Sequence, residues 1–148
     1  NLATLLSRRG RNREAEKLLR EAIRYQPTWG QAYYSLGLLQ AEDKTRLVEA
    51  TRNLEKAAAY GGENPRIFHN LAIAYWQQDK VEPAVASFRR AIELVPENPE
   101  YLQNLIQLLM QKGRWTDALK HARQMSKLLP GNAQVASLIS QIESNIKP

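Results

Sequence analysis

Cysteine is missing altogether from these 148 residues. Disulfides, thiolate metal sites and thiol nucleophiles are excluded with it, and the compartment, cytoplasmic or periplasmic, is left open. No uninterrupted apolar run approaches the roughly 18 residues that a membrane-spanning helix needs. Histidine is scarce: His69 and His121 stand 52 positions apart, and neither takes part in a His-x-x-x-His or Glu-x-x-His spacing suited to a metal. The seven glycines are scattered, so no phosphate-cradling loop forms. Without converging titratable groups the chain is expected to hold no active site, no metal and no cofactor. What remains is ordinary for a folded domain: 43% hydrophobic residues, 24% charged residues and a net charge of +6.

The order within that composition is a repeat. An apolar residue followed by a small or apolar one recurs as Leu2-Ala3, Leu36-Gly37, Leu71-Ala72 and Leu105-Ile106, at steps of 34, 35 and 34. A second marker, Ala15, Ala50, Ala84 and Ala118, follows at steps of 35, 34 and 34. The second unit carries one extra residue within its polar connection, 41–49. A fixed period of this size is the mark of a helical array, whose units bury their apolar faces only against their neighbours.

Each unit reads as two helices. Phe68, Leu71, Ala72 and Tyr75 share one helical face in the third, and Ala84, Phe88, Ala91 and Ile92 share a face of the helix that follows. Asn64-Pro65 and Asn98-Pro99 are start signals, because Asn caps free amides and Pro fits the first turn. Gly10 and Gly113 fall between paired helices, where a left-handed residue closes the turn. The spacing predicts helices over 2–9, 12–25, 29–42, 46–60, 65–78, 82–95, 99–112, 115–129 and 132–146, with no strand. In the last of these, Val135, Leu138, Ile139, Ile142 and Ile146 lie on one face and polar residues on the other, which suits a helix covering the end of the array.

Tyr33, Leu36, Gly37, Ala50, Leu54 and Ala57 in unit two carry a pattern that resembles the tetratricopeptide repeat. In unit three Phe68, Leu71, Ala72, Tyr75, Ala84, Phe88, Ala91 and Pro96 do the same, as do Leu102, Leu105, Leu109, Gly113, Ala118 and Pro130 in unit four. Ile106 and Ala122 depart from it, in opposite directions of size. The resemblance implies an all-α, right-handed superhelical solenoid of antiparallel helix pairs. It holds about three and a half repeats, at 1–29, 30–64, 65–98 and 99–132, plus a C-terminal capping helix at 133–147. The first repeat lacks the opening of its first helix, so the chain is expected to be a piece of a longer one. Leu5, Leu6 and either Leu18 or Leu19 would then have reduced cover, with fraying or self-association at that edge.

The resemblance also implies a non-catalytic adaptor whose inner groove, lined by the first helix of each pair, binds a peptide. Helix phase nominates Tyr34, Ser35 and Leu38 in unit two and Arg66, His69, Asn70, Ile73, Trp76 and Gln77 in unit three. In unit four it nominates Gln103, Asn104, Gln107, Met110 and Gln111. Asn1, Ser35, Asn70 and Asn104 stand at one repeated position. An amide there can donate to and accept from an extended backbone together, in the manner of peptide-binding members such as the targeting arms of sugar-transferring enzymes. Trp76 is a candidate anchor for an apolar side chain. Lysine is missing from the groove positions, so a partner with apolar anchors and low net charge is expected rather than an acidic tail.

Residues 1–27 hold seven basic and three acidic side chains, and Arg8, Arg9, Arg11 and Arg13 gather at the first turn. A phosphate contact is conceivable there, but a solvated turn is the simpler reading, and nucleic acid is not the expected partner. A second reading makes the chain a repeat segment of a larger multidomain bacterial enzyme or cytochrome-type protein, positioning substrates or domains. The stretches Tyr33–Gln40 and Asn70–Gln78 resemble repeat regions trailing bacterial multihaem cytochromes, although no haem-attachment motif occurs here.

Overall fold

The computed structural model describes residues 10–146 and is entirely helical over them. Its helices are α1 (Asn12–Tyr25), α2 (Gly30–Ala41), α3 (Leu47–Tyr60), α4 (Pro65–Gln77), α5 (Val81–Leu94), α6 (Pro99–Gln111), α7 (Trp115–Leu128) and α8 (Ala133–Ile146). These agree with the expected segments to within one residue at each end. The segment expected at 2–9 lies outside the described residues, as do Leu5, Leu6, Arg8 and Arg9. Each helix packs against its neighbours in the chain, with α2 on α3, α4 on α5 and α6 on α7 as the tightest pairs. Antiparallel pairs stacked in sequence order make a tetratricopeptide-type solenoid.

The local chemistry accounts for the boundaries. Asn64 and Asn98 accept hydrogen bonds from the amides of Arg66 and Glu100, with Pro65 and Pro99 opening the helices behind them. Asn132 caps α8 through the amides of Gln134 and Val135. Gly10 and Gly113 take left-handed φ values of 72° and 69°, and Asp79 takes the same place in the third unit at 59°. The second unit departs here. Its extra residue is absorbed by a short 3₁₀ turn, Lys44–Arg46, capped by Asp43, which accepts from the amide and hydroxyl of Thr45.

The small markers sit where backbones meet. A Cβ on Gly37 would come within 2.8 Å of Leu54. Gly30 is tighter still, because a Cβ there would lie 2.5 Å from the backbone of Gly61. The principal core runs from Ala72, Ala84 and Phe88 through Leu102, Leu105 and Leu109 to Val135 and Ile142. Leu19 is buried and Leu18 half-buried against α2. Ile146, expected on the inner face of α8, is exposed, as is Trp29 in the connection before α2.

Candidate functional site

The first helix of each pair is almost free of charge. Across α2, α4, α6 and α8 the charged residues are Arg66, Glu100 and Glu143, while the second helices carry most of the rest. Three hollows lie along the nearly neutral side. One of about 430 Å³ is lined by Ile73, Trp76, Gln77, Asn104 and Gln111, between α4 and α6. A second, about 500 Å³, is lined by Gln103, Ile106, Gln107, Met110, Gln111 and Leu138. A third, about 630 Å³, shares Gln103 and Leu138 with it and extends along α8 past Gln134 and Gln141. Sharing Gln111 on one side and Gln103 with Leu138 on the other, the three hollows adjoin in a row that forms a trough along α4, α6 and α8. None of its lining side chains is charged.

Side chains one repeat apart brace this surface. Asn104 Nδ2 lies 2.8 Å from His69 Nε2. Burial holds His69 below the ordinary histidine range, so its ring is neutral and accepts from the Asn104 amide. Asn70 donates to the Tyr34 hydroxyl at 2.9 Å and to its own helix at the Arg66 carbonyl. Trp76 donates through Nε1 to Gln111 Oε1 at 2.8 Å and sets its ring edge-on to Phe88, with centroids 6.2 Å apart. Trp76 therefore both packs sideways and lines the trough. Among the described residues, the carbonyl oxygens of Asn70 and Asn104 accept no protein hydrogen bond, whereas at least one amide hydrogen of each is engaged.

The nominated residues divide accordingly. Ile73, Trp76, Gln77, Gln103, Asn104, Gln107, Met110 and Gln111 come together in the trough. His69 lies beneath it, only 9% exposed, its ring between Phe88 and Tyr101 at centroid distances of 5.8 and 4.7 Å. Helix phase places His69 on the groove side, but the next repeat's Tyr101 closes over it. Tyr34 and Leu38 pack against Leu54, Leu71 and Ala74. Ser35 is half-buried and accepts from Gln31 at 3.4 Å, and Arg66 is exposed. Phase did not nominate Leu138, Gln134 or Gln141. The signal was present: Leu138 stands 34 positions after Asn104, one more step of the period.

Among the described residues no group of His, Cys, Asp and Glu could hold a metal ion, and no helix is long and apolar enough to cross a membrane. The trough therefore offers amide hydrogen bonds and apolar contact.

A family model of the C-terminal tetratricopeptide repeats of YpiA-like proteins matches residues 65–132. A second tetratricopeptide repeat model matches residues 1–25. No curated protein matches the sequence. Among solved structures, MamA superposes with a TM-score of 0.85 at 15% identity, over 99% of this chain and 85% of MamA. YrrB, described as a tetratricopeptide protein with an unusual peptide-binding site, gives 0.81 at 24% identity, over 96% of this chain and 73% of YrrB. The type III secretion chaperone SycD of Yersinia enterocolitica, solved with a peptide of the translocator YopD, gives 0.67 at 16% identity, over 79% of this chain and 94% of SycD. These likenesses establish the fold. The two family matches, the period of 34 to 35 residues and the stacked helix pairs agree, and the chain belongs to the tetratricopeptide repeat family.

Proposed function

We propose that this protein-interaction module binds an extended peptide segment, low in net charge and bearing apolar anchors, along the trough across α4, α6 and α8. The observation that carries this reading is the uncharged lining of all three adjoining hollows. A charged side chain seated there would lose part of its hydration without gaining an opposite charge, which disfavours acidic and basic anchors. Apolar side chains meet Ile73, Trp76, Ile106, Met110 and Leu138 instead. The amides of Gln77, Gln103, Asn104, Gln107 and Gln111 can bond the backbone between those anchors, since each offers an acceptor and donors. That YrrB and SycD engage peptides on the same fold supports the reading.

The test is selection from a random displayed peptide library, followed by affinity measurement of the winners. Enriched peptides should carry two or more apolar residues and little net charge. Trp76→Ala and Asn104→Ala should each weaken them by about 1–3 kcal/mol, through lost anchoring and an unpaired buried backbone group. Helicity is checked in parallel. Enrichment of strongly charged peptides, or full affinity in both variants, would refute this assignment.

A further inference from the structure

The outer face of α1 has the opposite character to the trough. Arg13, Lys17, Arg20 and Arg24 recur at spacings of four, three and four, so they form one stripe, and all four are exposed. They border a hollow of about 740 Å³ whose lining is wholly charged, completed by Glu16, Glu21 and Arg46. Two of its cations are already balanced. Arg20 and Arg46 share Glu16 at 2.8 and 2.6 Å and share Glu49 at 3.0 Å each. That network ties α1 to the start of α3 and stiffens the floor. Arg13, Lys17 and Arg24 form no ion pair among the described residues, against Glu21 as the one remaining acid of the lining.

We propose that the outer stripe of α1 docks an acidic helical segment of a partner protein, as a second interaction surface independent of the trough. The spacing selects the occupant. Successive cations stand about one helical turn apart, roughly 5–6 Å, which matches carboxylates three and four apart along a second helix. Glu16 and Glu21 flank the cations on either side and confine them to one narrow row, which suits a helix laid along it better than the broader backbone of a nucleic-acid duplex. The stripe spans roughly 16 Å, about three turns, enough for a short helix. Exposed ion pairs are individually weak and are screened within about 10 Å at 0.1 M salt, so this contact is salt-sensitive and serves to steer and orient.

The experiment titrates the whole chain, at low salt, with an alanine-based helical peptide carrying glutamates at the same four-three-four spacing. A scrambled peptide of identical composition and a short RNA duplex serve as comparisons. The triple variant Arg13→Gln, Lys17→Gln, Arg24→Gln should weaken the striped peptide about tenfold, the scale of three exposed ion pairs. A charge-matched triple on α7, Lys120→Gln, Arg123→Gln, Lys127→Gln, should change it less than about twofold on the same scale. Equal loss in both triples, equal binding of the scrambled peptide, tighter binding of the RNA, or no binding of the striped peptide would each overturn the proposal. The trough is untouched by these changes, so its own test stands apart.

Discussion

At the scale of single residues, Gly30 shows how little space one junction leaves. An added Cβ would meet Gly61 Cα and N at 2.5 Å and Tyr60 C at 2.8 Å, all backbone atoms with no rotamer to yield. Gly30→Ala should therefore cost about 1–3 kcal/mol as overpacking, read from urea midpoints. Gly62→Ala is the contrast: its φ of 68° strains a side chain, but nothing lies within 4 Å, so the loss should be about 1 kcal/mol. The two histidines give a pH dependence. Burial lowers both His69 and His121 below their ordinary value of 6.5. Below that pH the unfolded chain binds more protons than the folded one, so stability falls as pH drops through 6.5. Glu16 and Asp43 are held below 4.5 and 3.8, so their stabilising effect is present above those values and is lost only in stronger acid. The urea midpoint should be lower at about pH 5.5 than at about pH 7.5, and the double change His69→Gln, His121→Gln should flatten that difference. An unchanged midpoint in the unaltered chain would contradict the assignment of both rings as buried and neutral.

At the scale of elements, α8 acts both as cover and as wall. Val135 and Ile142 are buried against the principal core, with Leu138 and Ile139 partly so. Leu138 also forms one side of the trough. Ile142→Ala removes a fully buried side chain and should cost about 2–5 kcal/mol. Repeats are stabilised mainly by their neighbours, so the loss should stay local. Hydrogen exchange should quicken across α7 and α8 and stay unchanged in α2 and α3; uniform acceleration along the chain would mean a single cooperative unit instead. The 3₁₀ turn at Lys44–Arg46 shows the other use of an element. It takes up the extra residue of the second unit, and Arg46 within it reaches Glu16 on α1.

At the scale of the whole molecule, charge is sorted by helix type. Second helices carry ion pairs such as Arg90 with Glu63 and Glu93, and a partner reading them competes with salt. First helices present amides and apolar groups. Peptides selected on the trough should therefore lose less than about threefold in affinity between 0.05 and 0.5 M salt, whereas contacts on the α1 stripe should largely disappear over that range. Calorimetry across a salt series separates the two, and a steep salt slope for trough peptides would sink the neutral-groove reading.

The period, the helix boundaries and the close-packed small residues were legible in the sequence alone. Capping, proline placement and helical phase act over a few residues, and their effects repeat wherever the residues do. Asn64-Pro65 and Asn98-Pro99 announce α4 and α6 because the cap is made within three residues. Phase also brought eight of the nominated side chains to the trough. What lay beyond the sequence was pairing between repeats: Asn70 with Tyr34, Asn104 with His69 and Trp76 with Gln111 each join residues 35 or 36 apart. Helix phase specifies a direction around an axis, not the rise and rotation between neighbouring helices, and those decide which side chain is met. That is why His69 lies under Tyr101 rather than in the open, and why the trough continues onto α8. Stacking, set by side-chain packing across the whole array, decided which polar groups were left for a partner.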